Sequence, residues 1–154
     1  MTTGTDERTP VDPSFITYCL WKLMTNKSYS DITSEINRGI LKLRQSVPNA
    51  MAGFNAMAQG ALKTGALSEV HKELIALAIG VAGHCDGCIG FHAKSLVRLG
   101  AKRDEVMEAL AVAVYMGGGP SLMYAAEAVH AFDEFTKSSP AQTPPEATTA
   151  TRAP

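Results

Sequence analysis

The chain has 154 residues, with 14 Lys and Arg against 15 Asp and Glu, giving a formal net charge of -1 at pH 7. That balance provides no general attraction to nucleic acid or an anionic membrane, and no basic stripe interleaved with aromatics appears. Hydrophobic residues make up 45% and charged residues 19%, which excludes a wholly disordered or fibrous chain and suits one helical or mixed domain.

Both ends read as tails. Residues 1–12 are polar, with Val11 the one aliphatic side chain after Met1, and residues 137–154 carry four prolines and no Ile, Leu, Val, Met or aromatic residue. Neither segment can offset the entropy of ordering, so both are expected to be disordered around a single domain at residues 13–136. The first residues lack the basic-then-apolar layout of a secretory signal. No uninterrupted apolar run reaches the roughly 18–20 residues of a membrane span. A cytoplasmic protein is expected, in a compartment that keeps thiols reduced.

In chain order, Phe15, Ile16, Cys19, Leu20 and Leu23 recur at helical spacing after Pro13-Ser14, which makes Cys19 a core residue of a first helix. Ile32, Ile36, Ile40, Leu43 and Val47 follow the start signal Ser30-Asp31. Pro48-Asn49 opens a helix carrying Met51, Phe54, Met57, Ala58 and Leu62, closed by Lys63-Thr64-Gly65. Ser68 is placed to cap a helix with Val70, Leu74, Leu77, Ala78 and Val81 on one face, and Gly83 to end it. Asp86-Gly87 precedes a helix over residues 88–99, stopped by Gly100. Asp104 is the expected cap of residues 105–116. The Gly117-Gly118-Gly119-Pro120 tract breaks the pattern, and residues 121–135 resume it. No strand alternation intervenes, so the fold class is all-α with about seven helices.

The chemistry concentrates between Glu73 and His92. Three cysteines, Cys19, Cys85 and Cys88, do not make a disulfide scaffold, and a close pair in a reducing compartment points to catalysis or metal binding. The Cys85-x-x-Cys88 spacing brings two sulfurs within bonding reach where it bridges a loop and a first helical turn. Backbone N–H groups and the helix dipole there favour a thiolate, lowering the free-thiol pKa of roughly 8.5 by one to several units. His92 lies four residues after Cys88, on the same helix face, where an imidazole can take the thiol proton. Glu73 on the preceding helix is a candidate either to orient it or to act as the terminal base, a contact that the spacing permits but does not show. His84, beside Cys85, either tunes that sulfur or is solvated. Zinc is a rival, with Cys85, Cys88 and His92 as ligands and His84 or Glu73 as a fourth, but no second paired motif accompanies them. The glycine tract lacks the order of a phosphate loop. Its glycines permit close packing, with Met116, Met123 and Tyr124 either lining a pocket or lying in the core.

Glu73, eleven residues, Cys85-x-x-Cys88, three residues, His92: this pattern resembles the signature of the alkylhydroperoxidase-D-like branch of the carboxymuconolactone decarboxylase family. Lys72-Glu73-Leu74-Ile75-Ala76-Leu77-Ala78, Phe91-His92-Ala93-Lys94 and Met116-Gly117-Gly118-Gly119-Pro120 extend the likeness over about residues 48–135. The resemblance implies an all-helical fold, homo-oligomers (commonly trimers or hexamers), and thiol-dependent reduction of hydroperoxides or exchange of disulfides. In that scheme Cys88 attacks, Cys85 resolves the sulfenic acid to a disulfide, Glu73 and His92 relay protons, and an external dithiol returns the electrons without a cofactor. Two features depart from the branch. Its best-known enzymes carry a histidine immediately before the second cysteine, where this chain has Gly87, and residues 15–24 form an extension without a counterpart, a candidate oligomer contact. Two other functions compete. One is decarboxylation of a carboxylated lactone, as in the branch that names the family. The other is a zinc-binding or redox-sensing oligomer without turnover.

Overall fold

The computed structural model describes residues 27–139. The helix expected around Cys19, the tail at residues 1–12 and the last residues, 140–154, lie outside the described residues. Within them the chain forms α1 (Tyr29–Ser46), α2 (Pro48–Leu62), α3 (Glu69–Ala82), α4 (Asp86–Arg98) and α5 (Arg103–Ser138), with no strand among the described residues. The all-α class holds. Six of the expected helices fall in this range and five are found, because the last two run on as one element across a kink.

That kink is at Gly118, whose φ of 69° and ψ of -156° are open only to glycine without strain. Gly117 beside it has no room for a side chain, since a Cβ there would lie 2.0 Å from Ser121 Oγ. Pro120 sits at the start of the resumed helix, where a missing N–H costs little. The other end of α5 differs from expectation. Lys102, not Asp104, is the capping position, and its N–H donates to Glu105 Oε2 at 2.8 Å. The helix also runs through Ser138, past the expected limit at residue 136. One window of α5 is apolar enough, and α5 long enough, to cross a bilayer by length and composition alone. Of that window 22% is buried, and elsewhere in α5 Ala128, Ala131 and Phe132 lie in the helical core.

The core is the meeting of α3, α4 and α5. Leu77 and Val81 of α3, Ile89, Ala93 and Leu96 of α4, and Val106, Leu110 and Phe132 of α5 are buried together. Each large apolar side chain buried this way contributes about 1.5–3 kcal/mol. The alanines of α5 let the axes approach closely. By contrast α2 buries none of its residues, and Phe54 and Met57 of its apolar stripe face outward. It is tied to α3 by Lys72, whose ammonium donates to the carbonyls of Ala61 and Lys63 at 2.9 and 2.6 Å.

Helix α1 is held at its N-terminus. Ser28 caps it, so the expected start at Ser30-Asp31 lies inside the first turn. Glu134 of α5 accepts the N–H groups of Tyr29 and Ser30 at 2.9 and 3.0 Å and the Ser28 hydroxyl at 3.0 Å. Burial alone would raise the Glu134 pKa, but these bonds and nearby His130 outweigh it and hold the carboxyl below its ordinary value. A depressed carboxylate stabilises the fold above the unfolded pKa of about 4.3, and that contribution is lost as pH falls through the lower folded value. Glu134→Gln is therefore expected to cost about 1–2 kcal/mol at pH 7. Urea unfolding at neutral and acid pH checks this: the gap between variant and wild type should close in acid.

Candidate active site

The site is built on the reversal between α3 and α4. Gly83 ends α3, its N–H returning to Ile79 O at 2.8 Å, and Cys85 N–H donates to Gly80 O at 3.0 Å. Gly83 ends the helix as expected, and the residue after it turns the chain. Gly83 has φ -84°, and His84 takes the positive φ of 53°. The strain is compensated by packing, for the His84 ring stacks on Tyr124 with centroids 4.7 Å apart and planes 17° apart.

Cys85 then stands at the N-cap of α4, its sulfur accepting the Cys88 N–H at 3.2 Å in place of the usual capping oxygen. Asp86 and Gly87 are the first helical residues, not the cap, and Cys88 occupies the first turn. The two sulfurs are joined, with Cα atoms 5.3 Å apart, and both residues are half-buried. Both sulfurs thus lie at the positive end of the α4 dipole, where an anion is favoured. A glycine on α3 makes this possible: a Cβ at Gly80 would approach Cys88 Cβ to 3.1 Å and the Cys88 carbonyl carbon and Ile89 nitrogen to 3.6 Å.

Glu73 and His92 also meet. Glu73 is only 3% exposed, and its Oε2 lies 2.6 Å from His92 Nδ1. An ionised carboxylate only accepts, so Nδ1 carries the proton and Nε2 is left to exchange one. The sequence pairs are thus both formed, Cys85 with Cys88 and Glu73 with His92. No hydrogen bond joins the imidazole to either sulfur in this disulfide form. Cys88 and His92 are related by one turn of α4. Glu73 also borders an open cleft of about 420 Å³ between α2, α3 and α4, shared with Asn55, Gln59 and Ser95.

Gly87 faces α1. A Cβ there would meet the tip of the Ile36 side chain, Cδ1, at 2.7 Å, so Ile36 must shift to admit a side chain. Gly87→His is expected to lower stability by about 1–2 kcal/mol as an overpacking change, with Ile36→Ala in the same chain relieving part of the cost. Thermal unfolding of the single and double variants reads this directly.

The sequence singled out neither Lys27, Tyr29 nor Glu127. Lys27 Nζ lies 2.5 Å from Asp86 Oδ1 and 3.8 Å from Glu127 Oε2. Tyr29 is fully buried and donates its hydroxyl to Glu127 Oε2 at 3.3 Å. Burial first, then Glu127 and Asp86, push its phenol far above the ordinary range, so it stays a donor. The available signal was spacing: Tyr29 stands three and four residues before Ile32 and Thr33. Met116 and Met123 are 74% and 61% exposed, so neither lies in the core. Among the described residues no three His, Cys, Asp or Glu side chains are grouped to hold a metal ion.

The family model for the carboxymuconolactone decarboxylase family matches residues 48–131, more than half of the chain. The chain belongs to the carboxymuconolactone decarboxylase family. A family protein from Legionella pneumophila, solved in its apo form, superposes with a TM-score of 0.70 at 56% identity, covering 70% of this chain and 96% of that one. A second, from Thermotoga maritima, for which a part in antioxidative response has been suggested, gives a TM-score of 0.62 at 26% identity, over 68% of this chain and 90% of its own. Among curated relatives, an uncharacterized protein of Cupriavidus necator is 42% identical over 100 residues, 65% of this chain and 88% of the relative. The matched region holds Glu73, Cys85, Cys88 and His92. It excludes α1, which starts at Tyr29 and ends at Ser46.

Proposed function

We propose that this family member is a thiol-dependent oxidoreductase of the alkylhydroperoxidase-D-like type, reducing hydroperoxides through Cys88 and Cys85. The observation that carries this is the pairing of the two sulfurs at the N-terminus of α4, one helical turn from a histidine already held by a buried carboxylate. The reduced Cys88 thiolate attacks the terminal oxygen of the hydroperoxide, breaking the O–O bond. The sulfur becomes a sulfenic acid, and the alkoxide leaves as alcohol with a proton supplied through His92. Cys85 then attacks the sulfenic sulfur, forming the disulfide and releasing water. An external dithiol returns two electrons by exchange. Glu73 holds the imidazole and stabilises its charged form between proton transfers. The antioxidative part suggested for the Thermotoga protein points the same way. The protein would work in a reducing cytoplasm, where a dithiol donor is present.

The test is consumption of an organic hydroperoxide by purified protein with candidate dithiol reductants. Wild type should turn over repeatedly and Cys88→Ser should not. Equal consumption by both would defeat the mechanism.

We also propose that the chain works as a homo-oligomer. Ile75 and Ile79 of α3 and Val112, Tyr115 and Met116 of α5 leave large apolar side chains exposed, and Gly117 packs near Ala82 where the two helices meet. An apolar face of this kind, adjacent to the disulfide turn, suits a second copy of the chain. Sedimentation should find an oligomer for wild type and a smaller species for Ile79→Lys with Met116→Lys.

A further inference from the structure

We infer that Lys27 is a positioning residue for the cysteine pair, cancelling the charge of Asp86 so that the sulfurs at the α4 N-terminus ionise readily. Lys27 belongs to the segment before α1, outside the region shared with the family model. Asp86 is one of the two residues between the cysteines, and its carboxylate is the nearest negative charge in sequence to both sulfurs. Left alone, that charge opposes formation of a second anion in the same turn.

The structure places a cation on it. Lys27 Nζ is 2.5 Å from Asp86 Oδ1, and each side chain is about one-third exposed or slightly more. Further groups surround the ammonium. It lies 5.4 Å from the Tyr29 ring centroid and 5.8 Å from that of Tyr124. Glu127 Oε2 is 3.8 Å away. The Lys27 carbonyl accepts from His130 Nε2 at 3.0 Å. Tyr124 in turn stacks on His84, the residue before Cys85. A cation, two aromatic rings and the turn of the site therefore form one contiguous cluster.

The other titratable groups of this region come from different elements. Glu73 on α3 is occupied by His92 on α4, Glu127 on α5 is occupied by the Tyr29 hydroxyl and Lys27, and the imidazole of His84, in the turn before Cys85, is stacked on Tyr124. Asp86 has the Lys27 ammonium as its ion-pair partner among the described residues. Removing Lys27 leaves Asp86, between the two cysteines in the chain, without its cation. Removing Asp86 leaves the cation without that carboxylate.

The inference rests on the redox role proposed above, but its readout does not use peroxide. The experiment is pH titration of thiolate absorbance in the fully reduced, full-length protein at low salt. Lys27→Met should raise the thiol pKa by about half a unit or more, from the Coulomb energy of one charge at several ångströms near a surface. Asp86→Asn should lower it, by less, because Glu127 still shares the ammonium. The double variant should return close to wild type, Lys27→Arg should retain the wild-type value, and all shifts should shrink in high salt. Opposite shifts that cancel are not produced by loosened packing. Lys27→Met without a shift, or both single variants moving the same way, would overturn the inference. If the shifts appear but peroxide is not consumed, the charge device stands and the peroxidase reading fails.

Discussion

Glu73→Gln is expected to slow oxidation of the reduced protein by hydroperoxide by about 10²–10⁴-fold, the range for losing a positioned acid–base function. The substitution keeps the shape and removes the charge. Glu73 is 97% buried, so solvent contributes little compensation, and its carboxylate is the direct partner of His92 at 2.6 Å. With an amide in its place, Nδ1–H loses a charged acceptor and the imidazolium formed on taking a proton is no longer stabilised. The ring remains in position but carries its proton poorly. Single-turnover mixing of reduced protein with an organic hydroperoxide measures the rate, and circular dichroism shows that the helices persist. A variant as fast as wild type would remove Glu73 and His92 from the chemistry.

Gly80→Leu should have the second large effect, this time on the frame that carries the sulfurs. The contacts a Cβ would make are the side chain and backbone of Cys88 and the backbone of Ile89, at 3.1 to 3.6 Å. Backbone cannot swing aside as the end of a long side chain can, so α4 itself must move. Overpacking of this kind costs about 3 kcal/mol, and the displaced first turn would open the spacing of the cysteines. Gly80→Ala is the contrasting control. Its single methyl is tight but close to tolerable, and the gain of about 1 kcal/mol in helix propensity offsets much of the crowding. Denaturant unfolding should therefore find Gly80→Ala near wild type and Gly80→Leu much weaker.

The helices were legible because their caps and stripes are local. Ser68 and Gly83 bound α3 as the spacing requires, and Leu77 and Val81 face the core as expected. The spacing of Glu73 and His92 about a short turn permits their contact without showing it, and the folded chain brings Oε2 to 2.6 Å from Nδ1. The rest depended on contacts between distant segments. The stripe on α2 signals burial, yet Phe54 and Met57 are exposed because no other helix covers them within the described residues. Nothing local marks Gly87 as crowded; only the folded chain sets the Ile36 side chain, fifty-one positions earlier, against it. Nothing in the sequence singles out Lys27, and only the folded chain sets it on Asp86. His84 takes a positive φ that glycine next to it would take more cheaply, and the stacked Tyr124 that compensates lies forty positions on.

The proposal that Cys88 is the attacking sulfur is tested most directly by trapping its oxidised form. Cys85→Ser, fully reduced and exposed to one equivalent of hydroperoxide with a sulfenic-acid-specific label, should carry the label on Cys88 when its peptides are weighed by mass spectrometry. Cys88→Ser treated in the same way should carry none on Cys85. Label on Cys85 in the second variant, with Cys88 clean in the first, would reverse the assignment, and label on neither would contradict peroxide reduction at this pair.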